Sequence, residues 1–259
     1  MTIYNSIGKV YSNSRLPDLR IVNSLIDLLN LPKKSIIADI GAGTGGYSRA
    51  IAQLGYSVYA VEPSSVMRSQ SVEHAQVKYF AGYAEDIPLA NASVDGVICV
   101  LAMHHFSNLH KAVREMHRIT KKGALVFLTF DPRLCEKLWL ADYLCVYRDY
   151  DFRVFPPIND VVELIQSHTQ RSVEIYPFKL PHDLTDMFAA SGWRRPEIYL
   201  NPEVRANISA LALADADEVE EGVIRLKEDL STGKWNAKYG EIRNLSEIDV
   251  GYRFLCARR

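Results

Sequence analysis

The sequence predicts an α/β protein built on a doubly wound, mostly parallel sheet of seven strands, with an α-helical cap inserted after the fifth strand. Three observations predict it. Short apolar runs alternate with stretches of helical spacing through the first half of the 259 residues. Four glycines crowd positions 41 to 46, directly after the first apolar run, SIIADI. After Asp131 the alternation gives way to a mixture of tryptophan, tyrosine, proline and charge.

The elements follow in order. Leu16 to Leu29 has helical spacing, and SIIADI reads as a buried strand running into the glycine loop. Gly46 to Leu54 is a helix, YSVYAVEP a second strand, VKYFAGY a third and VDGVICVLAM a fourth. NLHKAVREMHRITKKG is a helix whose basic last turn and following Gly123 form a stop, and GALVFLTFD is the fifth strand. Strands separated by helices imply β-α-β units and parallel pairing. Beyond Asp131, KLWLADYLCVYRDYDFRVFPPINDVVELIQ is helical at both ends around a Pro-Pro break. SVEIYPF is expected as a sixth strand and HDLTDMFAASGW as a helix stopped by Gly192 and capped by Asp183. DADEVEEGVIRLKEDLSTGKW is helical, and VGYRFLCARR supplies the last strand.

Composition narrows the function. Thirty basic residues against 31 acidic ones leave a formal net charge of -1, so no global field draws in nucleic acid or an anionic membrane. The N-terminal MTIYNSIGKVYSNSR has no apolar signal core, and no run approaches the roughly 18 to 20 apolar residues of a membrane span. Cytoplasmic residence is the expectation. The four cysteines form no C-x-x-C pair and read as thiols of a reducing compartment, and no metal site is expected.

In an open parallel sheet the loop after the first strand cradles ligands. Glycines at 41, 43 and 45 let that backbone turn sharply and approach a ligand closely. With Gly46 the loop also matches G-x-G-x-x-G, which leaves a dinucleotide open. Glu62, closing the second strand, is placed to accept hydrogen bonds from the hydroxyls of an adenosine ribose. Asp39 separates the two readings, because a carboxylate there attracts a ligand ammonium and repels a pyrophosphate.

DIGAGTG, VEPS, GYAEDIPLANASVDGVICVLAMHHF and LHKAVREMHRITKKGALVFLTF, in this order, resemble the class I S-adenosylmethionine-dependent methyltransferases, in particular the small-molecule group similar to the ubiquinone/menaquinone methyltransferases. The resemblance covers roughly Val10 to Asp131 and implies a Rossmann-like methyltransferase fold. It implies S-adenosylmethionine as cofactor and S-adenosylhomocysteine as product. Asp39 with the backbone of Gly41, Ala42 and Gly43 would face the methionine part, Glu62 would hold the ribose, and Pro63 and Ser64 would flank the adenine. Where the family commonly has an aspartate on the adenine amino group, this chain has Tyr83, leaving Ala84 and Glu85 for that role. Leu101 would contact the amino-acid end, and Tyr11 and Arg15 resemble the segment that folds over the cofactor, with Arg15 pairing with its carboxylate.

A sulfonium makes its methyl carbon electrophilic, so the protein aligns a nucleophile, excludes water and, where needed, removes a proton. His104 and His105, after the fourth strand, are the candidate bases. His182 and Asp186, with Trp193 and Arg194, are the candidate acceptor-binding residues. The aromatic and aliphatic cap points to a small, partly apolar organic acceptor, methylated at O, C or N. The domain division expected is a cofactor-binding core with an N-terminal lid over 1–131, a helical cap over 132–170, and a completion of the sheet with further substrate-side helices over 171–259. Two other classes stay open: a catalytically silent S-adenosylmethionine-binding regulator, and a nicotinamide-dependent oxidoreductase, which Asp39 disfavours. Oligomeric state is not encoded in any of these features.

Overall fold

The computed structural model describes residues 15–135 and 138–259. Seven strands form one sheet in the order β3-β2-β1-β4-β5-β9-β6. They are β1 (Ile36–Ile40), β2 (Ser57–Val61), β3 (Val77–Phe80), β4 (Gly96–Val100), β5 (Leu125–Phe130), β6 (Ser172–Pro177) and β9 (Tyr252–Arg258). The first five pair in parallel; β9 runs antiparallel between β5 and β6. Strand order reverses between β1 and β4, and that is where an open α/β sheet leaves its ligand crevice.

The central strands are apolar on both faces because helices cover both. On one side lie helix α1 (Leu19–Leu29), burying Ile21, Val22, Leu25 and Leu29, and α2 (Gly46–Gln53). Asp18 caps α1 by accepting from the Arg20 N–H, and Asn30 ends it in the left-handed conformation at φ 48°. On the other side lie α4 (Leu109–Ile119), capped by Asn108, and α7 (Ile158–Thr169). The short α3 (Ser65–Ser69) links β2 towards β3.

The cover over the carboxyl ends of the strands comes from two insertions. After β5 come α5 (Leu140–Tyr143) and α6 (Cys145–Val154). Between β6 and β9 come a two-stranded ribbon, β7 (Leu180–Pro181) with β8 (Glu247–Ile248), and α8 (Pro202–Ala206), α9 (Ser209–Ala212), α10 (Ala216–Ser231) and α11 (Lys234–Tyr239). The two insertions share one aromatic core, with Trp139 against Trp235 at 5.3 Å and against Tyr199 at 5.6 Å between ring centroids. Gly222 lets α10 press on the Tyr143 carbonyl, which a Cβ there would approach to 2.1 Å.

One local expectation is corrected. Residues 182–193 form turns, not a helix, so Asp183 caps nothing and instead pairs with Arg20 at 2.6 Å. Long-range partners for Asp183, Asp186 and Trp193 outweigh local helical spacing there. Within the second half of the chain, α7 packs beside α4 in the sheet's helix layer, and residues 182–244 contribute to the cover.

Candidate active site

The turn after β1 places Gly41, Gly43 and Gly45 at φ 75°, 58° and 74°, a region that only glycine enters without penalty. The N–H groups of Gly41 and Ala42 donate to the Val61 carbonyl, fastening the turn to the end of β2. A Cβ at Gly41 would lie 2.5 Å from that of Ala102, so the turn also depends on close approach to the loop after β4.

Glu62, at the end of β2, is 6% exposed and accepts from the Gly43 N–H at 3.0 Å through one oxygen and from the Ser64 N–H at 2.8 Å through the other. Burial raises its carboxyl pKa, and the two backbone donors oppose that shift. A carboxylate has about four lone-pair sites, so two such bonds leave acceptor capacity for a pair of hydroxyls. A cavity of about 480 Å³ runs from here. Pro63, Met67, Tyr83 and Ala84 line one part of it, and Leu101, His104 and His105 another. Glu85 also reaches it, but its Oε1 accepts from Ser107 Oγ at 2.9 Å and from the Asn108 N–H at 3.0 Å, tying this loop to the start of α4. Ser64 is fully buried and caps α3 through its hydroxyl, which accepts from the Met67 N–H.

A second, smaller hollow adjoins the glycine turn and is lined by Asp39, Thr44, Tyr47, Arg15 and Asp186. Asp39 accepts from Ser48 Oγ at 2.6 Å. Burial pushes its carboxyl up to about 7, the Ser48 hydrogen bond opposes this, and the Glu62 charge adds to it. Asp186, expected on the acceptor side, is 1% exposed here, takes the Arg15 guanidinium at 2.5 Å and accepts from the Tyr47 hydroxyl at 2.9 Å. Arg15 also forms a backbone bridge to Asp186, so the chain before α1 crosses the mouth of this hollow. Tyr11 lies outside the described residues.

β4 ends at Val100, and the next residue, Leu101, is left-handed at φ 50° and leads to a single 3₁₀ turn, Met103–His105. That turn stacks the His104 ring on His105 at 3.8 Å and on Phe155 at 4.1 Å between centroids. Burial holds the His104 pKa well below the usual histidine range, and holds that of His105 at about 4. Both imidazoles are neutral at pH 7. His104 Nδ1 is buried and has no hydrogen-bond partner within the protein. On its far side an aromatic chamber opens, bounded by Leu101, Phe130, Tyr150, Phe155, Phe188 and Tyr252.

Three expected acceptor residues lie elsewhere. Trp193 is fully buried, donating from Nε1 to the Pro181 carbonyl, and belongs to the core of the cover. His182 sits on the ribbon against the Ser246 carbonyl, and Arg194 donates to the Leu245 carbonyl. None of the three lines the cavities described above. The chamber residues have no contiguous motif. Only the β5–β9 register, which sets Phe130 opposite Tyr252, joins two of them by a regular rule.

Comparison with known proteins places the fold in a family. Residues 38–128, which span the glycine turn, Glu62 and His104, match a methyltransferase-domain family model. A crystal structure from Anabaena variabilis, of a protein assigned as a methyltransferase of an antibiotic biosynthesis pathway, is 56% identical over 95% of this chain and 99% of that one, with a TM-score of 0.93. The chain belongs to the class I S-adenosylmethionine-dependent methyltransferases. Among curated relatives, the methyltransferase is 29% identical over 161 residues to the ubiquinone/menaquinone biosynthesis C-methyltransferase of Rubrivivax gelatinosus, spanning 61% of this chain and 62% of that protein. It is 36% identical over 91 residues to the malonyl-[acyl-carrier protein] O-methyltransferase of Pectobacterium atrosepticum, spanning 35% of this chain and 36% of that one. It thus covers less than two thirds of either relative's length. S-adenosylmethionine is the family's cofactor, and a doubly wound sheet with a left-handed glycine turn, a buried Glu62 and an adjoining cavity of this size fits it. Among the described residues no helix is long and apolar enough to cross a membrane.

Proposed function

We propose that this methyltransferase moves the methyl group of S-adenosylmethionine to a nucleophilic atom of a small organic acceptor lodged in the aromatic chamber beneath the helical cover. One observation carries the reading: Leu101, His104 and Tyr150 line both that chamber and the cavity that runs to Glu62. Donor and acceptor spaces therefore meet at His104.

When bound, the cofactor supplies an electrophilic methyl group on a sulfonium. The chain's part is to hold and to exclude. Glu62 takes the ribose hydroxyls, while Pro63, Ser64, Met67 and the Ala84 backbone enclose the adenine, with Glu85 beside it. Asp39 and the backbone of Gly41, Ala42, Gly43 and Leu101 receive the methionine end. Arg15, steadied by Asp186, closes over it. His104, kept neutral by burial and carrying an unpartnered Nδ1, accepts the acceptor's proton, and His105 shapes the cofactor side of the same turn. The ring walls keep water from the reacting atoms.

A small acceptor in a cytoplasmic setting suits a net charge of -1, a covered site and free cysteines among the described residues. Isotope-labelled S-adenosylmethionine supplied to the protein in a cell extract tests this. Label is expected in the small-molecule fraction, and less of it with His104→Ala. Label in protein or nucleic acid, or cofactor binding with no transfer to any fraction, would contradict the reading, the latter in favour of a silent cofactor-binding regulator.

A further inference from the structure

The aromatic chamber holds only about 50 Å³, room for a small reacting group. Two larger spaces share its walls. One, of about 480 Å³, is the cavity that runs to Glu62, assigned above to the cofactor. The other, of about 360 Å³, lies under α5 and α6 and shares Phe130 and Asp151 with the chamber. With the cofactor in place, the body of an acceptor whose reacting end faces His104 has this second space to enter.

The walls of this second cavity are largely rings. Phe130, Trp139, Phe152 and Tyr239 line it, together with Leu138 and Ala141. Trp139 is held by its own Nε1, which donates to the Trp193 carbonyl at 2.6 Å, and by ring contacts to Trp235 and Tyr199. Tyr239 donates its hydroxyl to Asp142. These rings are therefore fixed before any ligand arrives, which lowers the ordering cost of binding. Phe130 belongs to both spaces and meets Phe155 at 5.3 Å and Tyr252 at 4.8 Å, so ring surface continues from the chamber into the second cavity. Charge does not select the ligand. Arg148 and Asp151 line the cavity from α6 with opposite signs, Asp151 is already engaged within the protein, and Asp142 pairs with Lys238 at 2.9 Å. Volume and ring surface select it instead. Burial of apolar area favours a body that fills the space, and ring faces and edges favour an aromatic body over an aliphatic one of the same size.

We infer that the acceptor is an extended aromatic molecule, a fused-ring or biaryl compound, whose reacting group alone sits in the chamber and whose uncharged ring body lies in the cavity beneath α5 and α6, against Phe130, Trp139 and Phe152. This rests on the methyltransferase reading above and deepens it. Ala141, on α5, is the smallest side chain on the cavity wall and limits how large a body is admitted. It lines neither the chamber nor the cofactor's cavity.

The test titrates three matched probes, phenol, 4-phenylphenol and 4-cyclohexylphenol, into protein saturated with S-adenosylhomocysteine, for the wild type and Ala141→Phe. All three present the same hydroxyl to His104 and differ only in the body behind it. In the wild type 4-phenylphenol is expected to bind at least about tenfold tighter than phenol and about fivefold tighter than 4-cyclohexylphenol, which matches it in size without the second aromatic ring. Ala141→Phe fills the cavity and should bring 4-phenylphenol down to the affinity of phenol, while phenol and S-adenosylhomocysteine bind as before. Phenol binding as tightly as 4-phenylphenol, 4-cyclohexylphenol binding as tightly or tighter, or an unchanged preference in Ala141→Phe would each overturn the inference. The wild-type contrasts stand even if the variant fails to fold. Failure of S-adenosylhomocysteine to bind would show itself in the saturation step and would take the methyltransferase reading down with it.

Discussion

Arg15 and Asp186, 171 positions apart, meet as an ion pair with Nε 2.5 Å from Oδ1, their side chains 11% and 2% exposed. The pair joins the chain before α1 to the insertion between β6 and β9, above the hollow that holds Asp39. Removing one partner of such a pair leaves a buried charge uncompensated. Asp186→Asn should therefore cost about 3 kcal/mol or more in urea unfolding, whereas replacing both residues together, as Arg15→Met with Asp186→Leu, should recover most of that loss. A double variant as unstable as the single one would contradict this.

Asp39 sets a pH dependence. Its carboxyl, pushed up to about 7 by burial, is half protonated near neutrality, and a cofactor ammonium favours the ionised form. The folded-state pKa lies above the unfolded one. The free protein therefore holds Asp39's contribution to stability at low pH and loses it as pH rises from about 4 through about 7. Cofactor affinity should run the other way, about tenfold weaker at pH 6 than at pH 8. Ser48→Ala removes the hydrogen bond that favours the carboxylate and should move this midpoint upward, as read by calorimetry across pH.

Gly41→Ala would force a Cβ to 2.5 Å from that of Ala102 at φ 75°. The combined clash and backbone strain should destabilise the protein by about 2 to 4 kcal/mol and remove cofactor binding together. Gly55→Ala, also left-handed but with nothing nearer than the Lys33 Cδ at 3.8 Å, should cost about 1 kcal/mol and spare the cofactor.

His104, buried against Phe155, should remain neutral at pH 6 in ring-nitrogen NMR, because its pKa lies well below the usual value. A protonated His104 ring at that pH would remove the basis for its role as proton acceptor.

The expected acceptor residues His182 and Arg194 make surface contacts to the carbonyls of Ser246 and Leu245. Alanine at either should shift stability by less than about 0.5 kcal/mol and leave cofactor and probe affinities unchanged. A tenfold loss of probe binding would return them to the site.

How far the sequence could be read differs by region for a physical reason. The glycine turn, Asp39 and Glu62 belong to one strand-turn-helix unit and its neighbouring strand, so short-range spacing carries their geometry. The same holds for the alternating strands and for α4, whose capping residue and stop stand at its ends in the chain. The aromatic chamber is assembled from β5, α6, the 182–193 turns, α9 and β9, with no local signal linking Phe130, Asp151, Phe188 and Tyr252. The segment around Asp186 and Trp193 has helical spacing, yet its polar groups find partners far away in Arg15, Tyr47 and Arg20, and the backbone follows those partners. Trp193 looked like a binding residue beside two arginines; it fills the core of the cover instead.

The most direct measurement is calorimetric titration of the wild type and Glu62→Ala with S-adenosylmethionine, S-adenosylhomocysteine and NADH. Both sulfur ligands should bind the wild type, NADH should not, and Glu62→Ala should weaken binding by about a hundredfold, as expected when a buried acceptor of several hydrogen bonds is removed. Undiminished binding in Glu62→Ala, or a preference for NADH, would contradict the placement of the cofactor along this turn.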